Sequence, residues 1–304
     1  STKFVTTNTG TVTTGICTAT SFSGSGSGIT GVTTATQGRN MLINGEMVAN
    51  MCLGSRKDVR NAVVACRKAF GSWSGKTAFN RAQILYRIAE MMEGRSEQFI
   101  EELVLQGFQK SRAREEVRES IERVVYYAGW CDKYIQVLGS VNPVSSSHFN
   151  FSVHEPMGVV GIVSSENSPL LGLVSLIMPA IAGGNTCVVL TSEKLPLSSI
   201  TLAEVINSSD VPGGVVNIIT GKKTETLPAL SSHMDVNAIS SSQLSTDQKT
   251  ELEKNAVSNL KRTFFYADDW HTSAAQGIYY IADLQEVKTT WHPIENIGGA
   301  SSSY

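Results

Sequence analysis

Five cysteines, five histidines and the acidic pair Asp268-Asp269 are side chains whose types could carry chemistry in this chain. The thiols Cys17, Cys52, Cys66, Cys131 and Cys187 are odd in number and scattered, with no C-x-x-C or other metal spacing. Their expected role is that of reduced, buried thiols in an intracellular protein. His148, His154, His233, His271 and His292 show no ligand spacing either, so they are expected at core, cap or surface positions and no metal is expected. Asp268-Asp269 reads as a solvated loop pair. Asn150-x-Ser152 and Asn207-x-Ser209 fit the glycosylation triplet, a pattern that chance often produces, and no signal pattern accompanies them.

Any site must therefore be built by loops, and the loops by a scaffold. A chain of 304 residues with 41% hydrophobic content can bury a real core in one large or two modest domains. A net charge of −2 gives no reason to expect a nucleic-acid partner. The richest apolar run, Leu170 to Ala182, is too short for a membrane span and contains Gly172, Ser175 and Pro179. Residues 1–37 are dominated by Thr, Ser and Gly and read as a leader or arm. The start at Ser1 reads as a processed end or as one part of something longer.

Met41 to Glu46 predicts a strand and a turn at Asn44-Gly45. Ser55-x-x-Asp58 predicts a helix start, followed by a stripe at Val59, Ala62, Val63, Cys66, Ala69 and Phe70. Further stripes run through Ala82, Leu85, Ile88, Ala89 and Met92, and through Phe99, Ile100, Leu103 and Val104. A long helix is expected over about Arg112 to Tyr134, with Val117, Ile121, Val124, Val125 and Ala128 facing the core. Beyond His154 the pattern changes. Gly158–Val163, Thr186–Leu190 and Val215–Ile219 read as short buried strands, alternating with helices over Leu170–Ala182 and about Ser198–Ser208. That alternation predicts an α/β fold of parallel βαβ units with helices on both faces. Ligands of such sheets sit at the carboxyl ends of the strands. The relevant loops are 164–169, 191–196, 220–224 and 240–246.

Particular motifs then resemble the aldehyde dehydrogenase superfamily. They are Phe70 and Trp73 with Arg81-Ala-x-Ile-Leu-x-Arg-Ile-Ala-Glu90, Tyr126-Tyr-Ala-Gly-Trp130, Glu155-Pro-Met-Gly-Val-Val-Gly161 and Pro179-Ala-Ile-Ala-Gly-Gly-Asn-Thr186. Ser192-Glu193, Pro212-x-Gly-Val-Val-Asn-Ile218, Thr220-Gly221 and His233-x-Asp-Val236 continue the series. The resemblance covers roughly Met41 to Val236. It implies a Rossmann-like nucleotide-domain fold over 38–276, with N-terminal helices and a β oligomerisation arm. Residues 139–154 would form its hairpin and 277–293 its C-terminal strand, with 294–304 as a tail. The strand would meet the hairpin across a subunit interface, through Val153, His154, Val287, Thr289 and Trp291, with Val287 and Trp291 on one side.

The same resemblance implies losses. Where the family has Pro-Trp-Asn, this chain has Ser165-Glu166-Asn167, so Asn167 is a vestige of an oxyanion-stabilising amide and Glu166 would oppose that charge. The lysine that contacts the cofactor ribose is replaced near Thr191, leaving Glu193 as a vestige. The pyrophosphate loop is Ile239-Ser-Ser-Ser-Gln-Leu-Ser-Thr246, where Ser241 and Ser242 stand without the glycine that lets phosphate approach backbone N–H groups. Thr263-Phe-Phe-Tyr-Ala-Asp-Asp-Trp270 replaces the motif of the general base. No segment is left between it and the tail strand for a catalytic domain with its cysteine. The pattern resembles the truncated second domain of family-16 aldehyde dehydrogenases. It implies a non-catalytic pseudoenzyme with a structural or oligomerisation role, forming a homodimer or docking onto an active dehydrogenase domain in the cytoplasm. No cofactor is expected, and NAD if any. Two other readings are a nucleotide-binding regulatory module using Asn167, Glu193 and the serines, and a subunit of an NAD(P)-dependent enzyme whose catalytic domain is elsewhere.

Overall fold

The computed structural model describes residues 38–43 and 46–294. The leader 1–37, the Asn44-Gly45 turn and the tail beyond Ile294 lie outside the described residues. The chain enters through an antiparallel pair, β1 (Gly38–Ile43) and β2 (Glu46–Cys52). Four helices follow: α1 (Arg56–Ser74), α2 (Ala78–Gly94), α3 (Ser96–Leu105) and α4 (Lys110–Ala128). The start of α1 is as the sequence predicts. The Asp58 carboxylate accepts from both the backbone N–H and the hydroxyl of Ser55, each at 2.7 Å.

The long fourth helix is shorter than expected. It stops at Ala128, because Gly129 and the turn through Cys131 interrupt it, and α5 (Tyr134–Leu138) is separate. Val125 and Val104 are exposed, not core-facing. Each directly follows a fully buried residue, Val124 and Leu103, and one helical step rotates it about 100° away.

A short β3 (Ser140–Asn142) and a long β4 (His148–Pro156) form the expected hairpin. The parallel sheet comes next: β5 (Val159–Val163), α6 (Leu171–Ala182), β6 (Thr186–Leu190), α7 (Leu197–Asn207), β7 (Val216–Ile219), α8 (Lys223–Ser231), β8 (Ala238–Ser242), α9 (Thr246–Ala256) and β9 (Arg262–Tyr266). Its order is β7-β6-β5-β8-β9, with every neighbouring pair parallel. The winding reverses between β5 and β8, which makes that gap the switch point where such sheets bind ligands. One face packs on α1 and α8, and the other on α6, with α2 and α4 behind it. Every residue of α6 is buried, which explains why it carries no charged side chain.

Residues 267–284 alone join β9 to the last strand, β10 (Gln285–Pro293), and include a short α10 (Tyr279–Ala282). The expectation of a β tail from Gly277 is therefore corrected at its start: Tyr279–Ala282 is helical, and the strand begins at Gln285. No described helix is long and apolar enough to cross a membrane.

Candidate functional site

The loops at the carboxyl ends of β5, β6, β7 and β8 meet as expected, but they bind one another. Glu166, after β5, reaches over to the loop after β6. Its carboxylate accepts from the Ser192 hydroxyl at 2.6 Å and from the backbone N–H groups of Glu193 at 3.2 Å and Lys194 at 3.3 Å. It also pairs with the ammonium of Lys223, the first residue of α8, which itself donates to the Ser164 carbonyl at 2.9 Å. Burial pushes the Glu166 carboxyl up, but the Lys223 charge and the surrounding donors outweigh it and hold the group below the usual carboxylate range. Lys223 is only 7% exposed. Glu193 is engaged as well: its carboxylate accepts from the Lys223 backbone N–H and its carbonyl from the Arg39 guanidinium.

The switch point is bridged in a similar way. Ser165 Oγ donates to Gln243 Oε1 at 2.8 Å and accepts from the N–H groups of Asn167 and Ser168 at 3.1 and 3.2 Å. Gln243 adopts a left-handed backbone with φ 55°. Asn167 is exposed on this loop, and no described thiol lies there.

The serine stretch is corrected. Residues 240–242 are not loop but the last part of β8, a strand paired on both sides and buried throughout. Central strand pairing overrides the polar composition that made the segment look like a loop. The hydroxyl of Ser241 donates to the Phe264 carbonyl at 3.3 Å, and that of Ser242 accepts from Trp270 Nε1 at 3.3 Å.

Sequence reasoning missed the set of residues that fixes the connection after β9. Arg123 on α4 donates to the Trp270 carbonyl at 2.9 Å, to the Ala275 carbonyl at 2.8 Å and to the Ser175 hydroxyl. His271 Nδ1 lies 2.6 Å from Glu119 Oε2, while its Nε2 is 3.7 Å from Glu116 Oε2. Glu116 is fully buried and uses Oε1 to accept from Ser168 Oγ and from the N–H groups of Leu170 and Leu171, all at 3.1 Å, which caps the start of α6. Asp268 is half-buried, and its Oδ2 accepts from the Tyr280 hydroxyl at 2.7 Å, so the acidic pair is not simply solvated. Among the described residues no three His, Cys, Asp or Glu side chains gather to hold a metal ion.

The thiols offer no nucleophile at the sheet. Burial pushes Cys66 and Cys131 up to about 12, and Cys187, inside β6, well above its usual value. Cys131 lies in the turn after α4, not inside a helix. Cys52, at the end of β2, is exposed, contrary to the expectation of burial, because β1 and β2 form a separate two-stranded sheet that covers little. Cys17 lies outside the described residues.

The residues expected at an interface fall on a three-stranded sheet of order β10-β4-β3. β10 pairs antiparallel with β4 along its whole length, from Gln285 opposite Pro156 to Pro293 opposite His148. The strand therefore meets the hairpin within one chain, and the expected pairing across a subunit interface is corrected. Nine residues in register with their own hairpin leave no vacancy on that edge of β4. Val287, Thr289 and Trp291 share a face with their partners His154, Ser152 and Asn150. Ser152 and Thr289 hydroxyls bond at 2.9 Å, and Trp291 meets His148 edge-on at 5.8 Å. Val153 points to the opposite face, over a groove shared with Ile135, Val141, Phe149 and Phe151.

A five-stranded parallel sheet with this order, a switch point between β5 and β8 and a three-stranded arm define a dehydrogenase-type nucleotide-domain scaffold. Residues 35–265 match the Aldehyde dehydrogenase family, and the chain belongs to it. It is 33% identical over 225 residues to a mitochondrial benzaldehyde dehydrogenase of Antirrhinum majus, a match covering 72% of this chain and 41% of that protein. It is 37% identical over 210 residues to an aldehyde dehydrogenase of Aspergillus niger, covering 68% and 42%. Among solved structures, PnpE of Pseudomonas sp. WBC-3 superposes with a TM-score of 0.73 at 30% identity, over 76% of this chain and 48% of that one. PnpE has also been solved in complex with nicotinamide adenine dinucleotide. The chain spans less than half the length of these relatives.

At the carboxyl ends of these strands the polar groups are paired with one another. The Glu166 carboxylate fills the donors of the loop after β6, Glu193 is committed to Lys223 and Arg39, and the Ser165–Gln243 bond spans the switch point.

Proposed function

We propose that this chain is a non-catalytic, aldehyde-dehydrogenase-derived module whose role is structural, in assembly. The observation that carries this reading is the connection between β9 and β10. Residues 267–284 return the chain directly from the nucleotide-domain sheet to the arm, and Arg123, Trp270 and His271 tie that return onto α4 and α6. Burial raises the pKa of Cys66, Cys131 and Cys187, which leaves the exposed Cys52 on β2 as the one accessible thiol among the described residues. What remains in working form is the arm, with its long exposed strand. Its expected partner is a second copy or an active dehydrogenase domain, and NAD is no part of the role.

Two measurements test this. The purified chain with aldehydes and either nicotinamide cofactor should produce no absorbance of reduced cofactor, and light scattering should give a mass above that of one chain. Turnover that vanishes with Cys52→Ser would return the chain to the enzymes. Saturable NAD binding well below millimolar would favour the regulatory reading.

A further inference from the structure

We propose that the loop cluster at the carboxyl ends of β5, β6 and β7 is an oxyanion-binding site that carries its own ligand, the Glu166 carboxylate. Four donors converge on that group: the Lys223 ammonium, the Ser192 hydroxyl and the N–H groups of Glu193 and Lys194. Backbone N–H groups beside a cationic side chain are the chemistry that recognises a phosphate or carboxylate oxygen. The donors are fixed independently of Glu166. Ser192 Oγ is held by the Leu195 N–H at 2.9 Å, and Lys223 by the Ser164 carbonyl at 2.9 Å. The loop bearing Glu166 is pinned by Ser165 through Gln243, Asn167 and Ser168. Removing the carboxylate thus leaves the cluster in place with an unneutralised ammonium more than nine-tenths buried, a costly state that a free oxyanion relieves. Glu166 itself is partly open to solvent, so the site has a way in.

The consequence is that the crevice is closed by a tenant and not merely by missing cofactor contacts. The test uses the full chain and inorganic phosphate, with acetate as a second oxyanion and chloride at matched ionic strength as control. In Glu166→Ala, phosphate should bind saturably and at least tenfold more tightly than to wild type. At tenfold excess over its Kd it should raise the melting temperature by roughly 2–4 °C. A response to acetate as well would assign the site to oxyanions in general, and a response to phosphate alone would restrict it to phosphate. Glu166→Ala combined with Lys223→Met should lose the response. If the Ala variant does not fold, Glu166→Ser, which also vacates the space of the carboxylate, should show the same gain. An equal response in wild type and variant, or none in either variant, overturns the proposal. Assembly is read separately by light scattering and does not depend on the outcome.

Discussion

Trp270 and Gly172 occupy one another's space: a methyl group at residue 172 would stand 3.0 Å from both Cδ1 and Nε1 of the indole. The indole, 2% exposed, fills the room left by a missing side chain in the first turn of α6. Trp270→Ala should therefore cost about 3–5 kcal/mol of stability, since it empties a large buried volume. Gly172→Ala should cost about 1–3 kcal/mol by crowding. Together they should cost less than their sum, because the added methyl enters the vacated space. Denaturant titration of the three variants measures this, and strict additivity would show that the two residues are not coupled.

One buried and one half-buried carboxylate should bend the pH dependence of stability in opposite directions. Burial raises Glu116 above its ordinary range, against the pull of the Leu171 and Leu170 N–H groups. Its contribution is then fully present below the unfolded carboxylate pKa of about 4.3 and is lost as pH rises through the folded value. Glu166 is lowered, so its contribution is present above the unfolded value and is lost as pH falls through the folded one. Relative to wild type, Glu116→Gln should gain stability as pH rises, and Glu166→Gln should lose it. Unfolding free energies at intervals from pH 3 to 8 check both slopes. His271 faces both Glu116 and Glu119, so the Glu116 pair is best compared in a His271→Gln background.

The sheet was legible in the sequence because its strands are short apolar runs separated by turn residues, and β6 spans the expected Thr186–Leu190. Its carboxyl-end loops were legible for the same reason. α8 was not, since Lys223-Thr-Glu-Thr-Leu-Pro-Ala-Leu-Ser231 has little apolar periodicity and only Leu227 and Leu230 as large buried apolar side chains. The contents of the site were hidden more deeply. Lys223 and Glu166 are 57 positions apart, and Arg123 and Trp270 are 147 apart. Local pattern carries no trace of such pairs, which only tertiary packing creates. The polar Ser240–Ser242 misled because a central strand can bury hydroxyls when neighbouring carbonyls and an indole N–H satisfy them.

Thiol labelling should separate the cysteines by exposure. In a Cys17→Ser background, an aromatic disulfide reagent at neutral pH should modify Cys52 quickly. Cys66, Cys131 and Cys187 should react only as the protein opens, because they are buried and held protonated. A second fast thiol that Cys52→Ser leaves in place would reveal a reactive cysteine and undermine the non-catalytic reading.

The assembly role rests on the outer side of β10. One edge of the strand is satisfied by β4, while among the described residues the other has no strand partner. Val287 and Trp291 are 61% and 56% exposed on one face, with Thr289 between them. A long exposed edge with apolar side chains is a surface that proteins avoid leaving bare, and a two-fold contact through one patch is the simplest way to cover it. Deleting the strand is a poor test, because β4 would lose its partner too. Val287→Lys with Trp291→Lys is cleaner. Each apolar side chain contributes roughly 1.5–3 kcal/mol when buried, so the pair should weaken association by at least about 100-fold. Exposed as they are, the same changes should alter the unfolding free energy of one chain by less than about 1 kcal/mol. Phe149→Ser, on the opposite face, serves as the control and should leave association intact. Light scattering across a concentration series reads wild type and both variants, and a wild-type chain that runs as a monomer at micromolar concentration would end the assembly reading.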